Sequence, residues 1–285
     1  MMPSALRLFF ITGLAMTAFA ANSVLARLAM AGGEAGPWAF TLLRILSGAL
    51  VLALIVSPGR AVRAGSWASA AALLAYAAFF SLAYLSLTTG TGALILFALV
   101  QITMIGWGLA IGERLSAARW AGMALAVGGL VWLLMPGLQA PPLTGALLMA
   151  VAGVGWGIYS LRGRNQRQPT LLTAGNFARA AALSLLIGLP ALLVSGESAP
   201  SVEGAAYALA SGAITSALGY AIWYAALRDL SASLAAIAQL TVPAIAALGG
   251  MIFLEEPLTV RFLIATALIL GGVALASLSR RKARA

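Results

Sequence analysis

"FTLLRILSGALVLALI" (residues 40–55) carries one charge, Arg44, in an otherwise apolar run. With Pro37–Ala39 before it and Val56 after it, the run reaches the roughly 20 residues a helix needs to cross a bilayer. A membrane β-strand would instead alternate polar and apolar side chains over about ten residues. This stretch is continuous and rich in Leu and Ala, so it reads as a membrane helix.

The same texture recurs along the chain. Cutting at charges, prolines and glycine pairs gives ten spans: 8–29, 37–57, 67–87, 91–111, 117–135, 144–162, 170–194, 204–227, 232–254 and 258–278. The connections between them are short. Composition agrees: the 285 residues are 62% hydrophobic and 8% charged, against about 25% charged in a soluble domain. So few charges cannot clothe a water-soluble globule of this size. The sequence predicts an all-α membrane protein of ten transmembrane helices, with no separate soluble domain.

Charge placement predicts orientation. With a cytoplasmic N-terminus, the inner segments hold Arg7, Arg60, Arg63, Arg114, Arg119, Arg162, Arg164, Arg167, Arg228, Arg280, Arg281, Lys282 and Arg284. The outer segments hold Arg27 and Arg261. Basic residues gather on the cytoplasmic side of short loops, so both termini are expected inside a bacterial inner membrane. The net charge of +10 is thereby a topology signal, and no nucleic-acid partner is expected. The small-residue "TAFA" after Arg7 resembles a signal cleavage site. The apolar run continues through Val24 and Leu25, so the first span is read as retained.

The second half echoes the first. "FAANS" (19–23) matches "WGIYS" (156–160), Arg44 matches Arg179, and "AYLSL" (83–87) matches "WYAAL" (223–227). "GERLSAARWAGMALAVGG" (112–129) matches "EEPLTVRFLIATALILGG" (255–272), aligning Glu113 with Glu256. An odd number of spans per unit inserts the second unit upside down. The expectation is two inverted five-helix repeats, residues 1–139 and 140–285, with a site where they meet at mid-depth, an arrangement frequent in transporters. The sequence leaves the oligomeric state open, and a monomer is compatible with it.

These features resemble the drug/metabolite transporter superfamily, EamA branch: ten spans in two repeats, an arginine in the second span of each, and a Glu near Leu in "GERL" and "EEPL". Thr103 stands where the ninth span has the proline of "TVP". The resemblance implies export of amino acids, other metabolites or drugs, and exporters of aromatic amino acids look closest. Efflux of lipophilic cations is the alternative; it would favour a buried acid, and none falls within a span.

Helical spacing puts Tyr76, Phe80 and Tyr84 on one face of the third span, matched by Tyr220 and Tyr224 in the eighth. Phe19 and Asn22 in the first span match Trp156 and Tyr159 in the sixth. Gln101 and Gln239 are polar positions in the fourth and ninth. These eleven residues are the candidate lining of a substrate cavity. Arg44 and Arg179 are expected to be structural, reaching an interface or loop carbonyls; the sharper reading has them hold a substrate carboxylate. Glu113 and Glu256 are expected to cap the fifth and tenth spans, leaving facilitated movement or a coupling not visible in the carboxylates. Histidine and cysteine are absent, and no triad, phosphate loop or metal cluster appears. No enzyme activity, cofactor or metal is expected; the partners are a small-molecule substrate and lipid.

Overall fold

The computed structural model describes residues 4–163, 166–230 and 232–278. Of the basic residues used to set orientation, Arg164, Arg280, Arg281, Lys282 and Arg284 lie outside the described residues. The described chain is helical without strands. Its elements are α1 (Ser4–Ala31), α2 (Pro37–Val56), a short α3 (Pro58–Arg63), α4 (Trp67–Ala83), α5 (Thr89–Ala110), α6 (Ala117–Leu134) and α7 (Leu143–Gly163). They continue with α8 (Pro169–Ser195) and α9 (Val202–Leu227), then α10 (Ala232–Gln239), α11 (Thr241–Leu254) and α12 (Val260–Leu278). In lipid only a helix satisfies its own backbone polar groups within one segment, which is why apolar runs of this length take this form.

Ten crossings follow from which ends meet. Ser201 N–H donates to the Glu34 carbonyl at 2.8 Å, joining the α8–α9 and α1–α2 turns. Arg261 reaches the Met135 carbonyl at 2.7 Å at that same end. At the opposite end Arg162 donates to Ser69 at 3.0 Å. Nine described segments are long and apolar enough to cross a bilayer. The third, α4, is shorter than the expected span: at Tyr84 the chain turns out of helix, and the Tyr84 hydroxyl donates to the Thr89 carbonyl at 3.2 Å. Large apolar side chains such as Phe9, Leu54, Val194 and Ile252 face outward, as lipid-facing positions should.

Two crossings depart from regular helix. Pro243 has no N–H to give the Gln239 carbonyl, and the ninth crossing breaks at Leu240 into α10 and α11. The α8 helix widens to π geometry over Ser184–Gly188, immediately before Pro190. The α9 helix does so over Ser211–Leu218.

The packing comes in couples. The α4 helix lies on α7 as α1 lies on α9; α5 lies on α7 as α1 lies on α11. Three further pairs, α2 with α8, α5 with α11 and α6 with α12, join like to like. Small residues permit this. Gly122 and Gly272 face each other where α6 crosses α12, and a Cβ on either would strike the other's carbonyl. Gly153 and Gly157 let α5 approach α7, with Thr103 against Gly157. Gly108 and Gly112, spaced for the same purpose, mark a helix end instead: Gly112 has φ +88° and nothing near its missing Cβ.

Candidate substrate cavity

A cavity of about 660 Å³ penetrates one end of the bundle. Its inner wall is aromatic. Trp156 stacks on Tyr159 at 5.3 Å between ring centroids and on Tyr220 at 5.2 Å. Phe19 meets Tyr220 and Trp223 edge-on, at 5.6 and 6.0 Å. The sequence explains the grouping: the α7 and α9 residues lie one helical turn apart or less, so their rings share a face. Gln101 and Gln239 add amides from α5 and the end of α10. Tyr159 donates to Thr173 at 3.4 Å, and Thr173 to Tyr224 at 3.3 Å. The mouth is charged. Arg119, Arg167 and Arg228 line it with one acid, Glu113, which sits 4.0 Å from Arg119.

Of the eleven expected lining residues, Phe19, Gln101, Trp156, Tyr159, Tyr220, Tyr224 and Gln239 border this cavity. Asn22, Tyr76, Phe80 and Tyr84 do not; all four are buried in packed protein. The reason is depth. The stripe 76–80–84 runs along α4 from beneath the cavity floor toward the other end. Tyr76 is covered by Trp156 at 4.9 Å, and Phe80 and Tyr84 follow behind it, the last pair edge to face. Trp223 and the three arginines of the mouth are additions. Trp223 lies three residues beyond Tyr220 and could have been read from that spacing. Arg119 in the first turn of α6 and Arg167 and Arg228 in the connections converge on the mouth only through tertiary structure.

Beneath the floor lies a polar layer. The Asn22 Oδ1 accepts from the hydroxyls of Ser211 (2.8 Å), Thr215 (2.5 Å) and Ser216 (3.4 Å). The π turn explains the gathering: residues five apart come onto one face there. Gly212 lets this turn pack directly on the Arg44 carbonyl.

Arg44 departs from expectation. It is 1% exposed and reaches neither interface nor loop. Its Nη2 donates to the Tyr76 hydroxyl at 2.9 Å, and its Nε to Ser216 at 3.4 Å. Its guanidinium lies over the rings of Phe80 and Tyr76 at 4.9 and 5.1 Å. Its Nη1 has no partner, and no carboxylate among the described residues pairs with it. Its neighbours enclose it before the side chain can reach water. Inserting such a charge costs about 2.5–3.5 kcal/mol, and an unmet buried donor adds about 1–3 kcal/mol. Arg179, its counterpart by sequence, is a loop tie: it donates to the carbonyls of Ala64 and, at 3.2 Å, Gly175.

The other end is tied together. Glu256 accepts from Arg27 Nε at 3.2 Å and from the Thr89 N–H at 2.7 Å, while Arg27 also donates to the Tyr84 carbonyl at 2.9 Å. Glu256 thus caps α5, in place of the α12 start expected from sequence. Glu197 caps α2 through the N–H groups of Trp38 and Ala39.

A multi-pass helical body with a central cavity that reaches only one of its ends has the build of a membrane transporter. The EamA-like transporter family model matches residues 143–278. An uncharacterized protein of Pseudomonas aeruginosa is 48% identical over 94% of each chain. A probable terminal-alkyne amino-acid exporter of Streptantibioticus cattleyicolor is 25% identical, covering 72% of this chain and 70% of its own. A solved crystal structure covers 96% of this chain and 98% of its own with TM-score 0.67 and 24% identity, a likeness of fold. The chain belongs to the EamA-like transporter family.

Proposed function

We propose that this transporter exports aromatic or neutral amino acids from the bacterial cytoplasm by alternating access. The observation that carries the reading is the aromatic floor formed by Phe19, Trp156, Tyr159 and Tyr220 at the base of a cavity open at one end. Stacked rings give a flat side chain a surface to lie on, each pair contributing about 0.5–1.5 kcal/mol. The amides of Gln101 and Gln239 offer donors and acceptors to an ammonium and a carboxylate. The distant relative named as a probable amino-acid exporter points to the same class.

The moving parts are two inverted halves, residues 1–139 and 140–285. The coupled helix contacts support this division, as does a family model that fits the last five crossings by themselves. The arginine-rich mouth faces the cytoplasm of an inner-membrane protein whose termini both lie inside. The state described is then inward-open, with Glu256 and Arg27 closing the outer side. Substrate moves down its gradient, since among the described residues the only acid on the cavity is Glu113 at its mouth, already beside Arg119. A lipophilic cation would meet three arginines on entry.

Counterflow in liposomes tests the reading. Labelled phenylalanine should exchange faster than threonine, and a cationic dye should not exchange. Strong dye flux without amino-acid flux would overturn it.

A further inference from the structure

The geometry points to Arg44 as an occluded carboxylate-binding site, taken up by the substrate after it passes the aromatic floor. The inference deepens the export reading and rests on it for the route by which the ligand arrives. Arg44 is a permanent cation, 1% exposed, with Nη1 unpartnered and neutral hydroxyls and ring faces as its other contacts. A guanidinium can hold a carboxylate through two parallel N–H groups, and a buried charge without a counter-charge is poorly compensated. Arg44 is therefore suited to receive an anion.

Its position suits that role. The α4 residue Tyr76 touches Arg44 on one side and Trp156 on the other, at 4.9 Å between rings. Trp156 in turn forms the cavity floor with Tyr220. One aromatic layer thus separates the cavity from the guanidinium. Ser216, which receives the Arg44 Nε–H, lies one turn of α9 beyond Tyr220, toward the tied end. Substrate travelling from mouth to tied end meets the rings first and Arg44 second. Displacement of the Tyr76 ring would bare the guanidinium to a carboxylate whose aromatic body still rests on Trp156. The ligand class is an aromatic molecule with one carboxylate.

The test uses the full protein in lipid nanodiscs, with tryptophan fluorescence as readout and two probes of equal shape, 3-phenylpropionate and 3-phenylpropanamide. Wild type should bind the carboxylate at least ten-fold more tightly than the amide. Arg44→Gln should erase the preference, and Arg44→Lys should keep part of it. Equal binding of the two probes to wild type, or an undiminished preference in Arg44→Gln, overturns the site. If Arg44→Gln does not yield monodisperse protein, a variant with Arg119, Arg167 and Arg228 all changed to Gln decides. A preference that survives there supports Arg44, and one that vanishes places the carboxylate at the mouth and overturns the inference. Phenylalanine counterflow is measured in parallel. Carboxylate selectivity without flux removes the export reading alone; flux without selectivity removes the Arg44 site alone.

Discussion

At the scale of single residues, the polar layer under the cavity floor is organised by Asn22. Its one oxygen accepts from three hydroxyls of α9, so Asn22→Ala leaves buried donors short of an acceptor. The expected cost is about 1–3 kcal/mol, read as a lower unfolding midpoint in detergent. Trp156 acts on the ligand instead. Its removal takes away the ring that stacks on both Tyr159 and Tyr220. Trp156→Ala should weaken apparent phenylalanine affinity roughly ten-fold, consistent with aromatic pairs of about 0.5–1.5 kcal/mol each, while the protein still reaches the membrane. Counterflow at graded concentrations measures it. Residue types and facing stripes were legible in the sequence, and seven of the eleven expected residues border the cavity. What hid was depth. Helical spacing says which side chains share a face but not where along that face a cavity stops. Arg44 shows the same limit: its place within α2 could be read, its enclosure by α4 and α9 could not.

At the scale of elements, the break in the ninth crossing traces to one residue, Pro243. A proline inside a helix removes one backbone bond, and α10 ends four residues before Pro243. Gln239, whose carbonyl loses that bond, borders the cavity. Pro243→Ala restores the donor and should straighten the crossing. It should change the transport rate more than the expression level; an unchanged counterflow rate would show that the break has no part in movement. The π turn of α9 left no comparable sign, unlike that of α8, which Pro190 follows. Ser211–Leu218 has no proline, and its width answers to the partners it packs on, Asn22 and the Arg44 carbonyl. Glycine pairs were half legible. Gly153 and Gly157 sit at a helix contact, whereas Gly108 and Gly112 lie at the end of α5, because spacing alone does not reveal whether a neighbouring helix faces them. The stricter contact is between α6 and α12. Gly122→Val would drive a side chain into the Gly272 backbone and should abolish accumulation of folded protein, as size-exclusion profiles would show.

At the scale of the whole molecule, the ten crossings were readable because lipid imposes length and apolarity on each one separately. Which ends close and which stay open depends on contacts between helices far apart in sequence. Arg27 and Glu256 are 229 residues apart, and nothing local links them. Replacing Glu256 with Gln should weaken the closed side and shift the population toward outward opening. The chain lacks cysteine, so single labels can be read against a silent background. A Cys at Ser160, on the cavity wall, should react with an impermeant maleimide from the cytoplasmic side. That reaction should slow in the Glu256→Gln protein.

The knot at Glu256 has one further consequence. A single carboxylate holds α1 through Arg27 and α5 through Thr89 while sitting at the junction of α11 and α12. Parting either element takes one of the carboxylate's two partners away while the other still holds it, so the intermediate with one strand of the knot undone is the costly one. Unlatching should therefore be all-or-none, and under the proposed alternating access a carrier that unlatches that way would spend little time ajar and leak little of what it carries.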